Sequence, residues 1–84
     1  MYTDLGKPEE SINHYLKIYY LFPDQKDIAG KALVKAADNY YRSGRLKNAL
    51  TLYKKGAENL KGEEEQKYIK KRVLEIENKI KDRN

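Results

Sequence analysis

Three residues, Pro23, Gly44 and Gly62, cut this 84-residue chain into four stretches, each with apolar residues at three-and-four spacing. That spacing gathers apolar side chains on one stripe of a helix and on no single face of a strand. In the first stretch the stripe is Ile12, Tyr15, Leu16, Ile18 and Tyr19. Pro8 suits a first helical position, and Glu9 and Glu10 complement the positive end of the helix. Pro23 ends this helix, because the residue before a proline disfavours the α region. Asp24 stands where it would cap a second helix. The second stripe is Ile28, Ala29, Leu33, Ala36, Ala37 and Tyr40, running to about Ser43, with Gly44 as the stop. A third helix is expected from Leu46 to Leu60, with Leu46, Ala49, Leu50, Tyr53, Ala57 and Leu60 on one face. The fourth opens on Glu63, Glu64 and Glu65 and closes among Lys79, Lys81 and Arg83, the charge order a helix dipole favours. Its stripe is narrow: Ile69, Val73, Ile76 and Ile80. Connections this short predict antiparallel hairpins.

The expected fold class is therefore all-α, in one small domain. Two prolines and five glycines are too few for a β domain built on many turns, and the charged fraction of 37% suits exposed helices. A single core of this size is marginal. The chain has no cysteine, which excludes disulfides and thiolate metal sites. No apolar run approaches the roughly 18 residues of a membrane span. The start carries Asp4 and lacks the basic-then-apolar order of a signal peptide.

Sliding the chain against itself by 38 residues pairs Tyr2 with Tyr40, Gly6 with Gly44, Ser11 with Ala49, Ile12 with Leu50 and Tyr15 with Tyr53. Like residues in like helical positions at one offset describe a two-helix repeat, the unit of a solenoid. In this unit Leu33, Ala36, Ala37 and Tyr40 resemble the first-helix signature of the tetratricopeptide (TPR) family. Ala49 and Tyr53 resemble the A-x3-F signature of its second helix, with Ser11 and Tyr15 in the earlier copy. Small residues such as Ala37 and Ala49 let helix backbones approach, and the tyrosines fill the gap between hairpins. Leu33 replaces the family's usual tryptophan, Gly56 its alanine and Lys61 its closing proline. The junction from Tyr19 to Pro23 is similar to that of the bacterial cell-envelope TPR proteins, which would favour a periplasmic location. The resemblance implies an α-solenoid with residues 2–23 as a partial repeat, 24–62 as a full repeat and 63–84 as a capping helix. It also implies that the chain starts inside a hairpin whose first helix is missing, as the C-terminal part of a longer array. At an offset of 36, Ile69, Val73, Ile76 and Ile80 fall on Leu33, Ala37, Tyr40 and Gly44, so the cap keeps the stripe with larger side chains.

TPR arrays hold extended peptides or helices against their first helices. That resemblance makes Lys31, Val34, Asp38, Tyr41 and Arg42 the candidate partner-binding residues, with Lys35 at the margin. Valine at 34 and aspartate at 38 depart from the lysine–asparagine clamp with which some TPR domains hold acidic C-termini. The expected function is a protein–protein interaction scaffold. The alternative is an oligomerisation module, because a missing helix would leave the Ile12–Tyr15–Tyr19 face uncovered.

A net charge of +5 raises nucleic acid as a partner, through Lys31, Lys35, Arg42, Arg45 and Lys47. The distribution disfavours it. Residues 1–62 hold 11 Lys/Arg against 7 Asp/Glu and residues 63–84 hold 7 against 6, with no basic block. Catalysis is not expected, since no nucleophile–base pair or phosphate loop is present. His14 stands alone, Glu63 to Glu65 read as a helix first turn, and neither calls for a metal or cofactor. Tyr19, Tyr20 and Tyr41 exceed what repeat packing needs, and aromatic residues are favoured at interfaces.

Overall fold

Why four helices form here is visible at their ends. The computed structural model describes residues 8–83, and within them the chain runs α1 (Pro8–Leu21), α2 (Lys26–Arg42), α3 (Leu46–Asn59) and α4 (Glu63–Arg83), with no strand among the described residues. Tyr2 and Gly6 lie outside the described residues, and with them the first two pairs of the 38-residue offset. At the end of α2, Gly44 adopts φ +83. Its N–H reaches the Tyr41 carbonyl at 3.1 Å, and the Arg45 N–H reaches Tyr40 at 2.9 Å. This double closure is a Schellman motif, whose left-handed residue glycine adopts without a Cβ clash.

The start of α2 differs from expectation. Asp24 does not cap it. The Gln25 N–H bonds to the Phe22 carbonyl at 3.2 Å, closing a four-residue turn with Pro23 and Asp24 at its centre. Gln25 becomes the N-cap, with no side-chain capping bond, and its carbonyl accepts the first helical bond from Ala29. Proline at the second turn position sets the geometry and draws Asp24 into the turn. Ile28, expected in the buried stripe, is 44% exposed on the first turn of α2, while its neighbour Ala29, expected there too, is buried. The third helix stops one residue short of expectation, with Leu60 extended as its C-cap.

α2 packs on α1 and α3, and α3 packs in turn on α4. The core is the seam of small and large residues these contacts produce: Ala37, Ala49, Tyr53, Leu60, Ile69 and Ile76, ringed by Val34, Leu50, Val73 and Ile80 among others. Ile69 and Ile76 are fully enclosed, so the four-three-four stripe of α4 is the face turned to α3. Ile12 is also buried, at 2% exposure, while Tyr15 and Tyr19 on the same stripe are half-buried, so the face expected to lack cover is covered in part.

Glycine makes the closest helix contact possible. A Cβ at Gly30 would stand 2.6 Å from Leu60 Cγ and 3.1 Å from Asn59 Cβ. A Cβ at Gly56 would stand 3.0 Å from Val34 Cγ2 and 3.5 Å from the Gly30 carbonyl. The two glycines thus face one another across α2 and α3, and bring Leu60 under α2.

Candidate functional site

The end of α3 and its junction with α4 build a cleft against α2. Leu60, drawn beneath α2 by Gly30, is 3% exposed and forms its floor with Val34 and Ile69. Gln66 fixes the junction: its side-chain amide donates to the Ala57 carbonyl at 2.7 Å and also to that of Leu60. Those carbonyls belong to the last turn and C-cap of α3, which lack helical partners of their own. Glu65 folds back so that its carboxylate lies over Gly62, in space a side chain at 62 would fill. The cleft encloses about 280 Å³. Lys31 and Lys35 of α2 form one wall, and Glu64, Glu65 and Tyr68 of α4 form the other.

A tyrosine–aspartate network holds α4 in place beside α2. Tyr53 is fully buried, and its hydroxyl donates to Asp38 Oδ1. The Tyr68 hydroxyl donates to the same oxygen at 2.8 Å, and the two rings meet nearly edge-on with centroids 6.4 Å apart. Burial, and after it the bond to the Asp38 carboxylate, push the Tyr53 phenol well above the usual tyrosine range. Arg72 lies over the Tyr41 ring at 4.7 Å and the Tyr68 ring at 5.5 Å, and bonds Glu75 at 3.1 Å. Lys79 lies 5.0 Å from the Tyr41 ring, and the Tyr41 hydroxyl points to Glu75 at 3.4 Å. Cation–π contact at partly exposed sites contributes roughly 0.5–1 kcal/mol each.

The five residues singled out from the sequence therefore separate. Lys31 and Val34 line the cleft, and so does Lys35, which the sequence placed only at the margin. Asp38 and Tyr41 are half-buried and engaged by α4. Arg42 is exposed on the last turn of α2. Sequence reasoning missed Tyr68, and it assigned Leu60 and Ile69 to packing and Glu64 and Glu65 to the helix dipole alone. Tyr68 sits one residue before Ile69, off the apolar stripe, and an aromatic residue so placed is the signal that was available. Of the basic set weighed for nucleic acid, Arg45 is tied to Glu9 at 2.6 Å.

No family model, curated protein or solved structure matches this chain.

Proposed function

We propose that this chain is a protein-interaction scaffold of TPR-like design that holds a partner segment in the cleft between α2 and α4. One observation carries the reading: half-buried Val34, with Leu60 and Ile69 packed beneath, floors a cleft between charged walls. The floor is presented by helices, and the Tyr68 wall is held by Asp38, so little ordering cost falls on binding. A volume of about 280 Å³ lies just below the range of small-molecule pockets, roughly 300–1,000 Å³, and suits an anchoring side chain of a peptide. Lys31 and Val34 form the contact, and Arg42 extends the charged margin along α2.

The test is an unbiased selection of displayed peptides, followed by mapping of amide NMR shifts. Selected peptides are expected to move Lys31, Val34, Tyr68 and Ile69, and Lys31→Glu with Arg42→Glu to lower affinity at unchanged helicity. Shifts confined to another surface remove the cleft from consideration.

A second reading, self-association, draws on Tyr20, Leu21, Phe22 and Ile28, which are exposed around the α1–α2 turn. The Ile12–Tyr15–Tyr19 face contributes less to it, since Ile12 is buried and the two tyrosines are half-buried.

A further inference from the structure

The cleft is electrically divided. Its α2 wall offers two ammonium groups, Lys31 and Lys35, and its α4 wall the exposed Glu64 carboxylate, with the Glu65 carboxylate beside it folded towards Gly62. These are opposite charges on facing walls, yet the ion pairs found among the described residues, Arg45–Glu9, Lys54–Glu77 and Arg72–Glu75, do not join them. Two features keep the walls apart. The apolar floor separates them, and Glu65 is turned back over Gly62. Resting on the reading of this cleft as a peptide site, we propose that its partner is a bipolar segment. It carries one apolar anchor side chain, Leu or Phe, with acidic residues on one side of the anchor and basic residues on the other.

Charge complementarity selects the segment. A uniformly acidic segment would satisfy Lys31 and Lys35 but be repelled by Glu64 and Glu65, and a uniformly basic one would meet the reverse. Facing like charges discriminate against wrong partners more strongly than opposite charges add affinity. A bipolar segment meets both walls favourably while its anchor covers Val34, Leu60 and Ile69. The ring of Tyr68, fixed through Asp38, bounds the anchor on the α4 side. The volume of about 280 Å³ has room for such a side chain. The charges stand at an exposed rim, so the selectivity weakens as salt rises.

Four fluorescein-labelled peptides test this by anisotropy at low salt: DDALFAKK, whose adjacent Leu and Phe point to opposite faces of an extended segment so that one of them enters as anchor, its acidic counterpart DDALFADD, its basic counterpart KKALFAKK, and DDAAAAKK without the anchor. DDALFAKK is expected to bind the full chain at least fivefold more tightly than each of the other three. In the Lys31→Glu/Lys35→Glu variant both walls are acidic, and preference is expected to pass to KKALFAKK. In Glu64→Lys/Glu65→Lys it is expected to pass to DDALFADD. Lys31, Lys35 and Glu64 are exposed and Glu65 is half-buried, and far-UV circular dichroism checks that both variants keep the wild-type fold. Equal binding of the three anchored peptides, or unchanged preference in both folded variants, overturns the bipolar assignment while leaving the cleft as a peptide site. Absence of binding by all of the anchored peptides, or binding that survives Val34→Glu, overturns the cleft itself.

Discussion

At the scale of the residue, Asp38 has the widest reach. It accepts hydrogen bonds from Tyr53 of α3 and Tyr68 of α4 while itself belonging to α2. Asp38→Ala strands the buried Tyr53 hydroxyl, and a buried donor left unsatisfied costs about 1–3 kcal/mol. Asp38→Asn keeps an acceptor oxygen and should recover most of that loss in urea unfolding. Recovery no better than with alanine would show that the bond matters little. Tyr53 also sets a pH dependence. Its folded-state pKa is raised, so above the ordinary tyrosine value the unfolded chain releases a proton that the folded chain retains. Stability from this group is full below about pH 10 and falls as pH rises beyond it, by up to about 1.4 kcal/mol per unit. Comparing unfolding of the wild type and Tyr53→Phe from pH 8 to 11 isolates the effect, and parallel curves would refute it. By contrast, the Arg45–Glu9 pair is largely exposed, and its removal should change stability by less than about 1 kcal/mol.

At the scale of the element, the α2–α3 crossing depends on missing side chains. An alanine at Gly30 adds helix propensity of about 1 kcal/mol, but forces its methyl group against Leu60 and Asn59. Overpacking of that kind costs roughly 1–3 kcal/mol, and the Cβ of Asn59 cannot swing away. Gly30→Ala is therefore expected to be destabilising by about 1 kcal/mol and to shift Leu60 in the cleft floor. A rise in melting temperature would show that α3 yields easily. At the α3–α4 junction, Gln66→Ala removes two carbonyl partners and should cost about 1 kcal/mol, with faster hydrogen exchange at the end of α3. How far the elements were legible follows from the same contacts. Helix ends marked by proline and glycine, at Leu21, Gly44 and Gly62, could be read because their determinants lie within a few residues. The start of α2 could not, because Asp24 serves a turn or a cap equally well by composition. Gly56 was visible only as a departure from a pattern, since its partner Gly30 lies in another helix.

At the scale of the whole molecule, the described residues contain no helix long and apolar enough to cross a membrane, yet several large apolar side chains face outward. Tyr20 is 71% exposed and Leu21 64%. If these serve self-association, light scattering should show mass rising with concentration, and Leu21→Ser with Phe22→Ser should restore the monomer. A constant monomeric mass in the wild type would discard that reading. Removing residues 63–84 takes Ile69 and Ile76 from the core and leaves Tyr53 and Ala49 uncovered on that side. The shortened chain should lose cooperative thermal unfolding, because so small a core has no reserve.

Of the candidate site, Lys31 and Val34 were legible from their place on α2 relative to the buried Leu33 and Ala37. Glu64, Glu65 and Tyr68 were not, because they come to the cleft from a helix some thirty residues further along the chain. The amino-acid sequence by itself determined the four helices and their buried stripes, since 3.6-residue periodicity and the punctuation of Pro23, Gly44 and Gly62 act locally. Only the tertiary structure decided that Asp38 and Tyr41 engage α4 while Lys31 and Lys35 face Glu64 and Glu65. The reason is physical: which exposed side chains meet depends on how closely two helices approach. Here two glycines set how closely α3 approaches α2, and the Tyr68–Asp38 bond joins α4 to α2 across thirty residues of sequence.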